Sequence, residues 1–271
     1  MGMPSAEPNA VEPSNAPPVD TIGLIGLGAF GRLAASCLAQ HAEVRCYDPE
    51  ATDDEVRSAG ATPAHLEDAA DAQAVVLSVP VQAIPAACSA IAGMLSENTL
   101  VCDVGSVKLR PIEWMLAALP AHVQVLGTHP LFGPQTVAEL GGISGEPIVL
   151  CPARMNKETF ERARRFVIDK MGLVPIQMTA DDHDQQMAFV QGITHLIGKA
   201  ASNMRLEEYP TSTLAYQKLL QMKTNTELDA PQLFDAIQRL NPYAMNTRHA
   251  FLSAVKELVE AADVAEPVRN R

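Results

Sequence analysis

The sequence lacks long apolar runs and clusters of basic residues. No uninterrupted apolar stretch reaches the roughly 18 residues that a membrane-spanning helix needs, so we expect no membrane span. Lys and Arg number 20 against 32 Asp and Glu, which gives a net charge of −12, and the basic residues are dispersed along the chain. Nucleic acids and membrane surfaces are therefore not expected as partners.

Cysteine is scarce, and its positions do not suggest pairing. The five cysteines are odd in number, lie mostly inside apolar runs and have no metal-binding spacing; they are Cys37, Cys46, Cys88, Cys102 and Cys151. Such a pattern is typical of small core residues in a reducing compartment rather than of disulfides or a metal site. We therefore predict a cytoplasmic protein without a metal.

The sequence pattern divides the 271 residues into a tail and two domains. Residues 1–19 are rich in Pro, Ala, Ser and Asn and contain no Lys or Arg, which predicts a disordered tail that is neither a signal nor a transit peptide. Apolar strands alternate with helical segments over residues 20–179, which indicates an α/β domain with a doubly wound, mainly parallel sheet of Rossmann type. Over residues 180–271 apolar residues recur only at helical spacing. A helical domain of about 90 residues is small for an independent core, so we expect it to form a homodimer.

The most prominent motif is a glycine-rich turn between an apolar strand and a helix-like segment. Gly26, Gly28 and Gly31 have the spacing G-x-G-x-x-G, which permits a tight turn, close approach of a pyrophosphate and close packing of helix on strand. Asp48 follows the next apolar segment, where a carboxylate can bind the ribose 2′-OH, so the pattern favours NAD over NADP. The alternative is a glycine turn that binds no nucleotide, with Asp48 a solvated acid.

Further cofactor contacts are expected around this turn. A helix N-terminus offers free N–H groups and a positive dipole end to phosphate. Ligands of such a sheet lie beyond the carboxyl ends of its strands. The further candidates are Ala29 and Phe30 in the first helical turn, and Ser78 and Pro80 at the end of a later buried strand.

A histidine and a serine at neighbouring strand ends are the candidate catalytic residues. His129 leaves a strand predicted at 123–127 and enters a turn rich in Pro and Gly, which fixes its direction. A histidine of ordinary pKa, about 6.5, can accept a proton from a substrate hydroxyl at neutral pH. Ser106 follows Gly105 at the neighbouring strand end, where its hydroxyl could bond both His129 and a substrate oxygen. The alternatives are a structural histidine and a turn or N-cap serine.

Two histidines belong to the helical domain. His183 and His195 are 12 residues apart, which places them within about 120° of each other around a helix. On an otherwise apolar face, His195 is typical of a hydrogen-bonded core histidine, whereas His183 among aspartates fits a role in capping the helix that Thr179 begins. No carboxylate or cysteine spacing accompanies them that would indicate a metal.

Together these segments resemble the prephenate/arogenate dehydrogenases of tyrosine biosynthesis, most closely the plant-type arogenate dehydrogenases. The shared elements are Gly-Leu-Gly-Ala-Phe-Gly at 26–31, Asp-Val-Gly-Ser-Val-Lys at 103–108, Gly-Thr-His-Pro-Leu-Phe-Gly-Pro at 127–134, His-Asp at 183–184 and Gly-Ile-Thr-His at 192–195. The resemblance implies that His129 is the catalytic base, that Ser106 supports it and that His195 lines the substrate pocket. It also implies NAD as cofactor, a dimer formed by the helical domain, and substrate contacts from Thr128 and Gln135.

The choice between the two substrates of that family depends on one charge. Both carry a cyclohexadienol ring with a ring carboxylate, but the ammonium of arogenate calls for a carboxylate in the pocket. The resemblance assigns this role to Asp229, with Glu227 in reserve and a helix N-cap as the alternative for Asp229. Gln217 stands where bacterial prephenate enzymes have a substrate-binding arginine, which disfavours prephenate. The candidate cations for the ring carboxylate are Lys218, Lys223, Arg205 and Arg248.

The resemblance therefore implies an enzyme that converts arogenate to tyrosine by NAD-dependent oxidative decarboxylation. One alternative is a prephenate dehydrogenase giving 4-hydroxyphenylpyruvate, or a dual-specificity cyclohexadienyl dehydrogenase. A β-hydroxyacid dehydrogenase or a pyrroline-carboxylate-type reductase would share the glycine turn, but such enzymes usually place the key polar residue on the helical domain. A non-catalytic NAD-sensing regulator is the alternative from a different class.

Overall fold

A computed structural model describes residues 19–264, and eight strands within this range form one sheet. In chain order the strands are Thr21–Ile25 (β1), Glu43–Tyr47 (β2), Thr62–Pro63 (β3), Ala74–Leu77 (β4), Leu100–Asp103 (β5), Gln124–Pro130 (β6), Pro147–Arg154 (β7) and Val174–Gln177 (β8). Across the sheet their order is β3-β2-β1-β4-β5-β6-β7-β8, and all neighbours are parallel except β6 and β7. The mainly parallel sheet is confirmed. The tail predicted at residues 1–19 lies outside the described residues, apart from Val19.

Helices connect the strands and then replace them. The helices among the strands are Ala29–Leu38 (α1), Asp53–Ser58 (α2), Leu66–Ala70 (α3), Ile84–Ile91 (α4), Leu109–Ala118 (α5), Pro134–Leu140 (α6) and Lys157–Arg165 (α7). After β8 come Ala180–Asn203 (α8), Leu214–Leu228 (α9), Pro231–Asp235 (α10) and Ala244–Val264 (α11). A 3₁₀ turn at Val81–Ala83 precedes α4, and π-helical segments at Phe166–Lys170 and Ala236–Leu240 follow α7 and α10. Up to residue 264 no strand follows β8, which confirms the helical C-terminal region.

The strand β4 shows why this sequence forms a sheet that is covered on both faces. Val75 and Leu77 pack into one core together with residues of α4 and α5. Val76, whose side chain points to the opposite face, packs into a second core together with residues of α1. All three side chains are buried. An uninterrupted apolar run is what a doubly covered parallel strand requires.

The strand β6 is longer than the sequence predicted. The expected strand ended at residue 127, but the structure continues it to Pro130 because residues 128–130 pair with the antiparallel strand β7. His129 lies opposite Val149 in this pairing. The candidate base is therefore held by strand hydrogen bonding rather than by the turn that follows.

The helix α8 begins at the cap that the sequence provides. The Thr179 side chain accepts a hydrogen bond from the backbone N–H of Asp182 at 3.0 Å, and two aspartates occupy the first turn. Farther along, α8 crosses α9 at Gly198, where a Cβ atom would lie only 2.6 Å from Thr226 Oγ1. Among residues 19–264, no helix is long and apolar enough to cross a membrane.

Candidate active site

The glycine turn lies at the crevice where the sheet changes direction. From β1 the chain proceeds to β2 and β3 on one side, and from β4 to β5 and β6 on the other, so the carboxyl ends of β1 and β4 border a switch point. Gly26 has φ of 100°, and a Cβ there would lie 2.7 Å from the backbone of Ser78. A Cβ on Gly31 would lie 2.3 Å from the Gly26 carbonyl oxygen, whereas one on Gly28 would meet nothing within 4 Å. The first and third glycines are therefore required by packing, and the second leaves the backbone open to a ligand.

The groups around this turn fit a dinucleotide. Gly28 is the N-cap of α1, which has no side-chain cap and no acidic residue in its first turn, so its N–H groups are available to phosphate. Asp48 Oδ2 accepts a hydrogen bond from the Leu27 N–H at 2.6 Å, which places the predicted ribose acid against the turn. The buried Ser78 Oγ has no hydrogen-bond partner among the described residues. Of the remaining candidates, Ala29 and Pro80 are exposed, and the Phe30 ring lies 6.4 Å from that of Phe132.

His129 is buried between the sheet and the helix α8. It is 3% exposed, its Nδ1 lies 2.8 Å from His183 Nε2, and its Nε2 lies 3.2 Å from Gln191 Nε2. Burial is the main cause that holds the pKa of His129 well below its usual value, and the neighbouring His183 and the Lys108 ammonium lower it further. The imidazole is consequently neutral at neutral pH, which is the form that accepts a proton.

His183 and Asp184 continue this contact into a fully buried network. His183 Nδ1 lies 2.8 Å from Asp184 Oδ1. The two carboxylate oxygens also accept hydrogen bonds from the backbone N–H groups of Lys108 at 2.8 Å and Leu109 at 3.0 Å, at the start of α5. Burial lowers the pKa of His183, and its bond to Asp184 opposes that shift. The interpretation of His183 as a capping residue is wrong, because its imidazole bonds the candidate base instead.

A buried ion pair fixes the loop that follows β5. Lys108 Nζ donates to Asp103 Oδ2 and to the Thr128 carbonyl oxygen, the latter at 2.6 Å. Asp103 Oδ2 also accepts from the Gly105 N–H at 2.9 Å, and both charged side chains are fully buried. Additional hydrogen bonds of this kind offset the cost of burying two charges. The pair ties the ends of β5 and β6 together beside His129.

Among residues 19–264, none of the other side chains predicted near His129 bonds it. Ser106 is half-buried in the loop between β5 and α5, at the same sheet edge, but within residues 19–264 the His129 side chain bonds only His183 and Gln191. Thr128 points to the opposite face of the strand, and its hydroxyl donates to the Asp103 carbonyl at 2.5 Å. Gln135 lies half-buried in the first turn of α6.

A second group of predicted substrate contacts lies one helical turn beyond Gln191. His195 Nδ1 lies 3.5 Å from Asp229 Oδ2, with the side chains 17% and 21% exposed. Burial lowers the pKa of His195 and raises that of Asp229, and each charge opposes the shift of the other. The N-cap of α10 is Ala230, without a side-chain cap, so the alternative that Asp229 caps this helix is wrong.

The remaining candidates, on the helices that follow β8, are less enclosed. Glu227 is exposed and bonded to Ser202 and Lys223, and Gln217 is exposed in the first turn of α9. Arg248 Nη1 donates to Gln238 Oε1 at 2.9 Å, and Gln238 in turn donates to the Gly192 carbonyl on α8. Of the four candidate cations, Arg248 is thus fastened to α8. In the described part of the chain, no group of three or more His, Cys, Asp or Glu side chains could hold a metal ion.

The fold and this site define the class of dinucleotide-binding oxidoreductases. The family assignment follows from comparison: residues 39–174, half of the chain, match the model "Prephenate dehydrogenase, nucleotide-binding domain". The chain therefore belongs to the prephenate dehydrogenase family, whose members are NAD-dependent oxidoreductases. Residues 200–263 match a second model, described as "TYRAAT1-like, C-terminal domain".

Individual relatives agree with this family. Arogenate dehydrogenase 2 (chloroplastic) of Arabidopsis thaliana is 32% identical over 172 residues, which are 60% of this chain and 48% of the relative. Arogenate dehydrogenase 1 (chloroplastic) of the same plant is 27% identical over 248 residues, which are 88% of this chain and 38% of the relative. The chain thus spans less than half the length of these two proteins. Prephenate dehydrogenase from A. aeolicus, solved with hydroxyphenyl propionate and NAD+, has the same fold, with a TM-score of 0.70 at 19% identity over 90% of this chain and 92% of that one.

Proposed function

We propose that this chain catalyses the NAD-dependent oxidative decarboxylation of arogenate to tyrosine. The observation that carries the proposal is His129, a buried and neutral imidazole at the sheet edge that also holds the glycine turn. A base at this edge can reach a substrate whose reacting carbon faces a nicotinamide in the crevice.

The residues of the chain perform the proton transfer and the orientation of the substrate. His129 accepts the proton of the ring C4 hydroxyl at Nε2, the nitrogen that is not bonded to His183. Bound NAD supplies the acceptor for the hydride that leaves C4. Loss of CO2 then aromatises the ring, which makes the overall reaction strongly downhill. Ser106, which lies at the same sheet edge, is proposed to bond the substrate hydroxyl.

The acid beside His195 supports arogenate as the substrate. The Asp229 carboxylate lies 3.5 Å from His195 and is partly buried, so an ammonium there would meet a poorly screened charge. The plant relatives are named arogenate dehydrogenases. Prephenate, or both substrates together, is the alternative, because the family includes enzymes named for either one.

A homodimer and a cytoplasmic location complete the proposal. The side of α11 that carries Leu252 and Val259 exposes large apolar side chains, as a helix does when a second subunit covers it. All five cysteines are free thiols, which suits a reducing compartment.

The test is an NADH absorbance assay of the full chain with arogenate and prephenate side by side, repeated with NADP. We expect NADH from arogenate with the higher kcat/KM and weak activity with NADP, because Asp48 repels a 2′-phosphate. A higher kcat/KM for prephenate would replace the substrate assignment. NADH from neither substrate would overturn the enzyme and leave the NAD-sensing regulator.

A further inference from the structure

We propose that Asp184 and His183 are positioning residues that hold His129 in the tautomer with its proton on Nδ1, so that the Nε2 lone pair is free to take the substrate proton. The proposal rests on the function proposed above for His129. It adds two residues from the helical domain to the catalytic apparatus of the sheet domain.

The argument starts at Asp184, where the hydrogen-bond roles are fixed by the backbone. The N–H groups of Lys108 and Leu109 can only donate, so both oxygens of Asp184 are acceptors. A carboxylate at the N-terminus of α5 also suits the helix dipole, and α5 has no side-chain cap of its own at Lys108. Asp184 is therefore placed as an acceptor and not as a donor.

The donor and acceptor roles of the His183 and His129 ring nitrogens follow from this. Since Asp184 Oδ1 accepts, the Nδ1 of His183, 2.8 Å away, carries a proton and donates it. A neutral imidazole has one donor and one acceptor, so the Nε2 of His183 accepts. His129 Nδ1, 2.8 Å from that nitrogen, must then donate, which leaves His129 Nε2 without a proton.

The surroundings of His129 agree with this assignment. The Gln191 amide nitrogen lies 3.2 Å from His129 Nε2 and can donate to a bare nitrogen. Gln191 Oε1 is buried and has no hydrogen-bond partner among the described residues, so the amide can turn toward an incoming substrate hydroxyl. After proton transfer the imidazolium of His129 is linked through His183 to the negative charge of Asp184, which stabilises the product of that step.

The same contacts join the two parts of the chain. Asp184 is on α8, whereas its donors Lys108 and Leu109 begin α5 of the sheet domain. Asn241, which precedes α11, donates to the Asp184 backbone carbonyl at 2.7 Å. Correct docking of the helices on the sheet is thus a condition for the correct tautomer of the base.

The first test is nuclear magnetic resonance of the full chain labelled with 15N-histidine. Two-bond correlations from the ring protons distinguish a protonated from a bare ring nitrogen, and the His129 signals are identified by their loss in His129→Gln. We expect Nδ1 protonated and Nε2 bare in the wild-type protein. In His183→Phe, which removes the acceptor but keeps a ring of similar size, the form protonated on Nε2 is expected to appear. A wild-type His129 protonated on Nε2 would overturn the proposal.

The second test is kinetic and uses Asp184→Asn, with the exposed Asp182→Asn on the same helix as the matched control. Removal of the charge is expected to lower kcat at least about tenfold, with little change in KM or in the Kd for NAD. A purely structural role would instead lower the folded fraction and leave kcat per folded molecule unchanged. A decrease of less than tenfold in kcat per folded molecule would contradict the positioning role of Asp184. The tautomer measurement requires no turnover, so it tests the proposed hydrogen-bond network even where the proposed reaction fails.

Discussion

His129 can be tested by replacement with an uncharged amide. In His129→Asn the side chain cannot accept a proton at neutral pH. We expect kcat to fall by about 10²–10⁴, the usual contribution of a general base. The Kd for NAD, measured by fluorescence titration, should stay within about twofold, because the glycine turn follows β1 whereas His129 is on β6.

The control for this substitution is His41→Asn, which changes an exposed histidine in the turn between α1 and β2. It should leave kcat unchanged. Near-normal turnover of His129→Asn with intact NAD binding would show that another group is the base.

Asp229 is the residue proposed to favour arogenate over prephenate. Asp229→Asn removes the charge that would pair with the ammonium of arogenate. Because hydrogen bonds to charged groups are worth about 1.5–3 kcal/mol, we expect kcat/KM for arogenate to fall roughly tenfold to hundredfold relative to prephenate. The matched control is Glu227→Gln on the exposed side of α9. An unchanged ratio in Asp229→Asn would remove Asp229 from the substrate site, and a shifted ratio in Glu227→Gln would move the role to Glu227.

The sequence predicted the residues whose roles are set by their neighbours along the chain. Gly26 and Gly31 were predicted because a strand, a tight turn and a helix impose steric demands on adjacent residues. His183 was misinterpreted because its partner His129 is 54 residues away, and the contact exists only when α8 docks on the sheet. The one signal in the sequence was the His-Asp pair at 183–184, which belongs to the family motif.

Elements were predicted best where apolar residues form a clear pattern. The strand β4 lies in an uninterrupted apolar run, and the long helix α8 carries apolar residues at helical spacing. The two-residue strand β3 was missed because it contains no apolar run. The last residues of β6 were missed because they depend on pairing with β7, a contact that lies outside the segment.

The close crossing of α8 and α9 predicts opposite effects on stability for alanine substitutions at two glycines of α8. In Gly198→Ala the new Cβ would lie 2.6 Å from Thr226 Oγ1 and 2.7 Å from the Met222 carbonyl, so one helix must move. We expect the free energy of unfolding to fall by roughly 1–3 kcal/mol, as for other overpacked sites. In Gly192→Ala the nearest atom, Met187 O, is 3.6 Å away, so helix propensity should raise stability by up to about 1 kcal/mol.

Thermal or urea unfolding measures both changes. The contrast between the two variants is decisive because they share a helix and a substitution. Equal effects would show that α9 does not lie as close to α8 in solution.

On the scale of the whole molecule, the outer face of α11 is an apolar surface that nothing in the described part of the chain covers. Met245, Leu252 and Val259 follow one another at seven-residue intervals and are 54%, 54% and 53% exposed. Residues at this spacing share one side of a helix. An apolar side of this length that remained in contact with water would favour association, so we propose that it forms the contact of the homodimer proposed above.

This assignment predicts that a charge on α11 separates the copies only when it is placed on the apolar side. Leu252→Glu buries an unpaired carboxylate in the contact, which costs several kcal/mol, so light scattering after size exclusion should change the mass from a dimer to a monomer. Ser253→Glu adds the same charge one position along the helix, about 100° away, and should leave the dimer intact. A wild-type monomer at micromolar concentration would overturn the dimer, and a dimer that survives Leu252→Glu would place the contact elsewhere. Since His195 lies on α8, the helix against which α11 packs, the kinetics of the monomeric variant would also show whether the substrate pocket depends on the second subunit.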